Sequence, residues 1–145
     1  MASGQQVRSA TPTKAEFEQL GAFRQTLRRY LRFSEETVRS AGLPPQQYQL
    51  LLALKGMPGR EWALIRELAE ALQLRHHTVV GLVDRAQAKS LVQRTAHAED
   101  ARAVRVVLTP TGEQLLGRLS GLHLEELRRL GDAMTIPREQ PGQEP

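Results

Sequence analysis

Leu68-Ala69-Glu70-Ala71-Leu72-Gln73-Leu74-Arg75-His76-His77-Thr78-Val79-Val80-Gly81-Leu82-Val83-Asp84-Arg85 is the stretch on which the reading turns. Its first part continues Ile65-Arg66-Glu67 into a short amphipathic helix over 65–72, and Gln73-Leu74 forms a brief break. A second helix is expected over about 75–90. Val79, Leu82, Val83 and Ala86 recur at three-to-four-residue spacing and so face inward. His76, His77, Val80, Gly81 and Asp84 are left on the outward face.

Downstream the period changes from helical to alternating. Residues 91–96 and 103–109 read as two strands, with Val104, Val106 and Leu108 alternating with Arg105 and Val107. The polar stretch 97–101, containing Glu99-Asp100, separates them as in a hairpin. Thr109-Pro110 supplies a cap and a first-turn proline for a helix over 110–134. Leu115, Leu116, Leu119, Leu122, Leu127, Leu130 and Met134 form its stripe.

Upstream, Phe17, Leu20, Phe23, Leu27, Leu31 and Val38 make one apolar stripe along a helix over 14–40. So long a helix cannot bury its stripe within a small domain, which points to packing against a partner subunit. Ala41-Gly42-Leu43-Pro44-Pro45 ends it, and a helix containing Tyr48, Leu51, Leu52 and Leu54 follows until Gly56-Met57-Pro58-Gly59. The order is a long helix, three short helices, a β-hairpin and a long helix. The expected fold is mainly α with a small β-hairpin wing, a winged helix-turn-helix with long terminal dimerisation helices. Its parts are a flexible arm (1–13), the body (14–134) and a disordered tail (135–145). Within the body, 14–42 and 110–134 are the dimerisation helices and 43–109 the DNA-binding part.

Composition limits what such a chain does. At 145 residues it is one domain, and with 40% hydrophobic residues but one Trp, two Tyr and three Phe its core must be aliphatic. The absence of Cys excludes disulfides, thiolate catalysis and thiol-based redox sensing. The longest apolar run, 50–54, is far too short for a membrane span, and 1–13 lacks the apolar core of a signal peptide, so a cytoplasmic protein is expected. No H-E-x-x-H, Gly-rich phosphate loop or nucleophile elbow is present, which argues against an enzyme. No cofactor or metal is implied.

Several motifs together resemble one family. Residues 68–72, 78–85 and 91–94 are similar to the helix-turn-helix of MarR-type regulators. Asp100-Ala101-Arg102-Ala103-Val104-Arg105-Val106-Val107-Leu108-Thr109 matches that family's wing pattern, D-x-R-x-x-x-V-x-L-T, followed by Pro110 and Gly112. Leu43-Pro44-Pro45-Gln46-Gln47-Tyr48 matches the family's second-helix start. The resemblance covers about 20–134. It implies a two-fold homodimer, a palindromic double-stranded operator and repression relieved by a small-molecule effector. The chain departs from the family where a Ser-Pro-Ser-like cap is usual (Arg75-His76-His77 here), where a larger side chain is usual (Gly81) and where Gly is common (Ser90).

The charge distribution agrees with a polyanionic partner. Between residues 75 and 105, six cations against three carboxylates leave +3 of the net +4. The candidate DNA contacts are Arg75, His76, His77 and Thr78 at the helix start, with Val80 for a thymine methyl and Gly81 for close backbone approach. Arg85 is a further candidate, Arg94 and Arg105 are candidate phosphate clamps, and Arg102 at the hairpin tip suits the minor groove. Asp100 is expected to orient the wing by holding Arg102 or Arg85. Phe23, Tyr30, Tyr48 and Trp62 are candidate linings of an effector pocket at the junction of arms and head. Phe17, Leu20, Leu27, Leu119, Leu127 and Leu130 are candidates for the dimer interface. Two other readings stay open: a metal-responsive regulator using its His residues, and a protein-interaction adaptor on the same fold.

Overall fold

A computed structural model describes residues 11–96, 99–100 and 102–134. The tail expected over 135–145 and most of the expected N-terminal arm lie outside them. Five helices and three strands run in the order α1 (Lys14–Ser40), α2 (Pro45–Lys55), β1 (Trp62–Leu64), α3 (Ile65–Leu72), α4 (His76–Ala88), β2 (Val92–Ala96), β3 (Val104–Leu108) and α5 (Pro110–Leu130).

Local signals set most of these boundaries. Thr13 Oγ1 accepts from the Glu16 N–H at 3.2 Å while the Glu16 carboxylate accepts from the Thr13 N–H at 2.9 Å, a reciprocal cap that starts α1. Thr109 caps α5 by accepting from Gly112 N–H at 3.0 Å. At α3 the Glu67 carboxylate accepts from the Leu64 N–H at 3.0 Å and pairs with both terminal nitrogens of Arg60. The Arg60 guanidinium, then the Leu64 N–H, hold the Glu67 carboxyl below its ordinary range, against the opposing effect of burial.

α3 and α4 both end through a left-handed residue. Gln73 (φ 53°) precedes the Leu74 N–H bond to Ala69 O, and Ser90 (φ 60°) precedes the Leu91 N–H bond to Ala86 O. A side chain at such a φ costs energy that glycine avoids. Ser90→Gly should therefore stabilise the fold by about 0.5–1 kcal/mol, read as a rise in the thermal midpoint; a fall would contradict this account of the turn.

The structure corrects the sequence reading at two elements. The sheet has three antiparallel strands in the order β1-β3-β2, so the hairpin gains Trp62–Leu64 as an edge strand. Three residues carry too short a pattern to show a period of two. The last helix stops at Leu130, where Gly131 takes φ 48°, and a 3-10 turn covers Gly131–Met134.

One apolar cluster unites the head. Leu50, Leu51, Leu54, Leu68, Val79, Val83, Ala86 and Val106 are within 1% of full burial, joined by Val38 of α1 and Leu116 and Leu119 of α5. The core thus draws on α2, α3, α4 and the sheet, with the long helices closing one side. By contrast, every residue from 11 to 22 is exposed, including Phe17 and Leu20 at 52% and 51%. The first third of α1 projects without cover from its own chain.

Candidate nucleic-acid interface

The recognition helix α4 is fixed from behind and open in front. Val79, Leu82, Val83 and Ala86 are buried, and Gln47, itself 1% exposed, donates from Nε2 to Leu82 O at 3.0 Å. Arg75 is the N-cap, makes no side-chain cap bond, and no acidic residue stands in the first turn. Arg75, His76 and His77 are exposed, with Thr78, Val80 and Gly81 half-buried beside them. A helix start of this kind, with unfilled N–H groups and cationic flanks, suits an anion such as phosphate.

The wing comes to the same place. Leu64, Ile65, Arg66, His76, Asp100, Arg102, Ala103 and Val104 line a groove of about 400 Å³ between the starts of α3 and α4 and the hairpin. His76 and Arg102, far apart in sequence, meet there with Arg66. Sequence reasoning missed Arg66; as the second residue of α3 it reads as one more surface cation on an amphipathic helix and carries no signal of its own. Asp100 bonds the backbone of the hairpin tip: its Oδ1 accepts from the Arg102 N–H at 2.9 Å, and its carbonyl accepts from the Ala103 N–H at 3.1 Å.

The two expected phosphate clamps lie on opposite faces of the sheet. Arg94 pairs with Val106, which is fully buried, and so lies on the inner face. There its guanidinium binds Asp84 Oδ1 and Gln87 Oε1 of α4, each at 2.6 Å. Arg105 points outward and stacks on Trp62 at 4.0 Å, with Arg60 over the same ring at 4.3 Å. Its Nε is buried and makes no hydrogen bond among the described residues. A Cβ at Gly81 would meet the end of the Arg85 side chain at 3.4 Å, an ordinary contact with a flexible group.

At the junction of arms and head, Tyr30 and Tyr48 do converge, on His123. The His123 ring is 4% exposed, stacks on Tyr48 (4.5 Å, 11°) and meets Tyr30 and Phe33 edge-on. Burial, and then Tyr48 nearby, push the Tyr30 phenol above its ordinary pKa. Trp62 stands apart from this cluster in β1, and Phe23 is half-buried on α1. Among the interface candidates, Phe17 and Leu20 are exposed and Leu27, Leu127 and Leu130 half-buried. Leu119 is 2% exposed within the subunit's own core, because the Leu116–Leu119–His123 face of α5 turns toward α1 and α2. Leu31 and Leu122, members of the two helix stripes, and Leu124, which the sequence reading left out, are also exposed.

Among the described residues no helix is long and apolar enough to cross a membrane, and no group of three or more His, Asp or Glu is placed to hold a metal ion.

The sequence profile of the MarR family matches residues 41–103. No curated protein sequence matches the chain. Solved structures similar to it include a MarR family protein from Bacillus stearothermophilus, 21% identical over 87% of this chain and 86% of that one, with a TM-score of 0.72. AbsC, a MarR family transcriptional regulator from Streptomyces coelicolor, is 21% identical over 89% and 86%, with a TM-score of 0.70. A mutant of MepR from S. aureus bound to an oligodeoxyribonucleotide is 22% identical over 74% and 78%, with a TM-score of 0.65.

Proposed function

We propose that the chain is a winged helix transcription regulator of the MarR family, whose profile matches residues 41–103, and that it binds a palindromic double-stranded operator as a homodimer. The observation that carries this reading is the meeting of His76, Arg66 and Arg102 in one groove beside the uncapped start of α4. A helix start in the major groove and a guanidinium in the adjoining minor groove are the two contacts such a groove presents. The uncovered stripe of α1, with Phe17, Leu20 and Leu31 about half exposed, supports a second copy as the cover. The structure of a MepR mutant of similar fold bound to an oligodeoxyribonucleotide supports DNA as the partner.

Selection of bound fragments from genomic DNA tests the proposal. The recovered sites should be inverted repeats whose half-sites lie about one helical turn, roughly 34 Å, apart. Affinity should fall steeply with salt as counterions are released. Recovery of fragments with no common symmetry would defeat it. Arg102→Ala should weaken operator binding by about 1–3 kcal/mol and leave the unfolding midpoint in place; unchanged operator affinity at fixed salt would remove Arg102 from the interface.

The proposal extends to repression relieved by a small effector. The place expected for such a ligand, the arm–head junction, holds the Tyr30–His123–Tyr48 cluster, so the ligand has to part these rings to enter.

A further inference from the structure

We infer that Arg94 is a strut between wing and recognition helix, anchored by Asp84, and thereby a positioning residue for sequence discrimination; the inference rests on the duplex-binding function proposed above. Asp84 and Gln87 are three residues apart and so share one face of α4. The forked Arg94 guanidinium reaches both, Nη2 to Asp84 Oδ1 and Nη1 to Gln87 Oε1, at 2.6 Å each. Two of the five N–H donors of the guanidinium are thereby committed within its own chain, and its charge is paired with Asp84. The Arg94 side chain is 29% exposed, against 61% for Asp84, so the cation is the more sheltered partner.

An ion pair this exposed contributes little to fold stability. Its contribution is geometric. The head reads a duplex with two elements, the start of α4 and the wing tip bearing Arg102, and their separation has to match that of neighbouring grooves. β2 follows α4 through the left-handed turn at Ser90, which Thr109 holds at the Ser90 and Leu91 carbonyls, and its residues 92–96 pair with β3. Arg94 lies beyond the turn and ties β2 back to the helix at two places. The pair has a second consequence. Asp84 is an exposed carboxylate of α4 next to Arg85 in the chain, and Arg94 neutralises it before phosphates approach. Preorganisation of a reading head by such support raises discrimination more than it raises general affinity.

A double-mutant cycle on discrimination separates this role from a phosphate clamp. Wild type, Asp84→Ala, Arg94→Ala and the double variant are titrated with a duplex selected from genomic DNA and with a scrambled duplex of equal length, over a range of salt. A strut predicts that each single change lowers the ratio of the two affinities about fivefold, and that the double variant is no worse than either single one. The salt slope stays at the wild-type value. A clamp predicts the reverse: Arg94→Ala flattens the slope by about one with the ratio unchanged, and Asp84→Ala tightens binding to both duplexes. That pattern would overturn the inference.

A second readout needs no DNA. Backbone amides of 92–96 should exchange faster in both single variants, while those of α2 keep the wild-type rate. If wild type binds no duplex at all, the DNA-binding proposal fails on its own. Unchanged exchange at 92–96 in both variants would still refute the strut.

Discussion

Gly112→Ala is expected to destabilise the protein by about 3 kcal/mol or more, the upper range for overpacking a tight contact. A Cβ at this position would lie 2.0 Å from Leu91 O, 2.9 Å from Leu91 C and 3.2 Å from Leu91 Cα. All three are backbone atoms, so no rotamer relieves the clash. The neighbouring bonds resist movement as well. Thr109 N–H donates to Leu91 O at 3.1 Å, Thr109 Oγ1 donates to Ser90 O at 2.5 Å, and Gly112 N–H donates to Thr109 Oγ1. This knot fastens the start of α5 to the turn that follows α4, so loosening it separates arm from reading head. Urea unfolding measures the loss, and a change below about 0.5 kcal/mol, the scale of an ordinary surface substitution, would show that the approach is less close than described.

Gly117 and Gly121 provide the internal control. They stand on the same helix, both exposed, and a Cβ at either meets nothing within 4 Å. Alanine there should instead stabilise the protein, by up to about 1 kcal/mol each in a helix interior. Their four-residue spacing looks like a close-packing motif, but among the described residues nothing outside the helix's own backbone lies within 4 Å of a Cβ at either position.

His123→Ala is expected to cost about 3 kcal/mol, near the lower end for removing a large ring from a core. Two separate losses contribute. One is the ring itself, stacked on Tyr48 and edge-on to Tyr30 and Phe33, so its removal opens a cavity between α1, α2 and α5. The other is a pair of hydrogen bonds. Leu119 O, a carbonyl, only accepts, so Nδ1 donates to it at 2.6 Å, and Nε2 shares a hydrogen bond of 2.7 Å with Ser34 Oγ. His123→Phe keeps the ring and loses only the bonds, and should cost roughly 1–2 kcal/mol, since Ser34 and Leu119 sit on helices whose backbone offers alternatives. Equal losses in the two variants would mean that the polar contacts, not the ring, hold the junction. The position matters for function because Tyr48 also meets Ser120 Oγ at 3.1 Å, while the adjacent Gln47 bonds the recognition helix. Helix α2 thus touches the arm joint with one residue and the reading helix with the next.

The sequence alone determined the parts of this protein that depend on neighbours within a few residues. The stripes of α1, α3, α4 and α5 repeat over several turns, and Thr13-x-x-Glu16, Pro45 and Thr109-Pro110 mark starts through bonds or dihedrals that are local. The winged helix plan and the cationic start of α4 followed from these. Tertiary structure decided what depends on partners distant in the chain. Three residues of β1 become a strand because β3 presents a free edge, and Trp62 goes to the outer face of the sheet by that pairing. The pleat sends Arg94 inward to Asp84 and Arg105 outward to Trp62, although both read equally as surface cations. Leu119 and Leu122 belong to one apolar stripe, yet only the packing of α5 on α1 and α2 buries the first and exposes the second. A side chain's periodicity gives its direction on its own helix or strand; what stands in that direction is settled by the other elements.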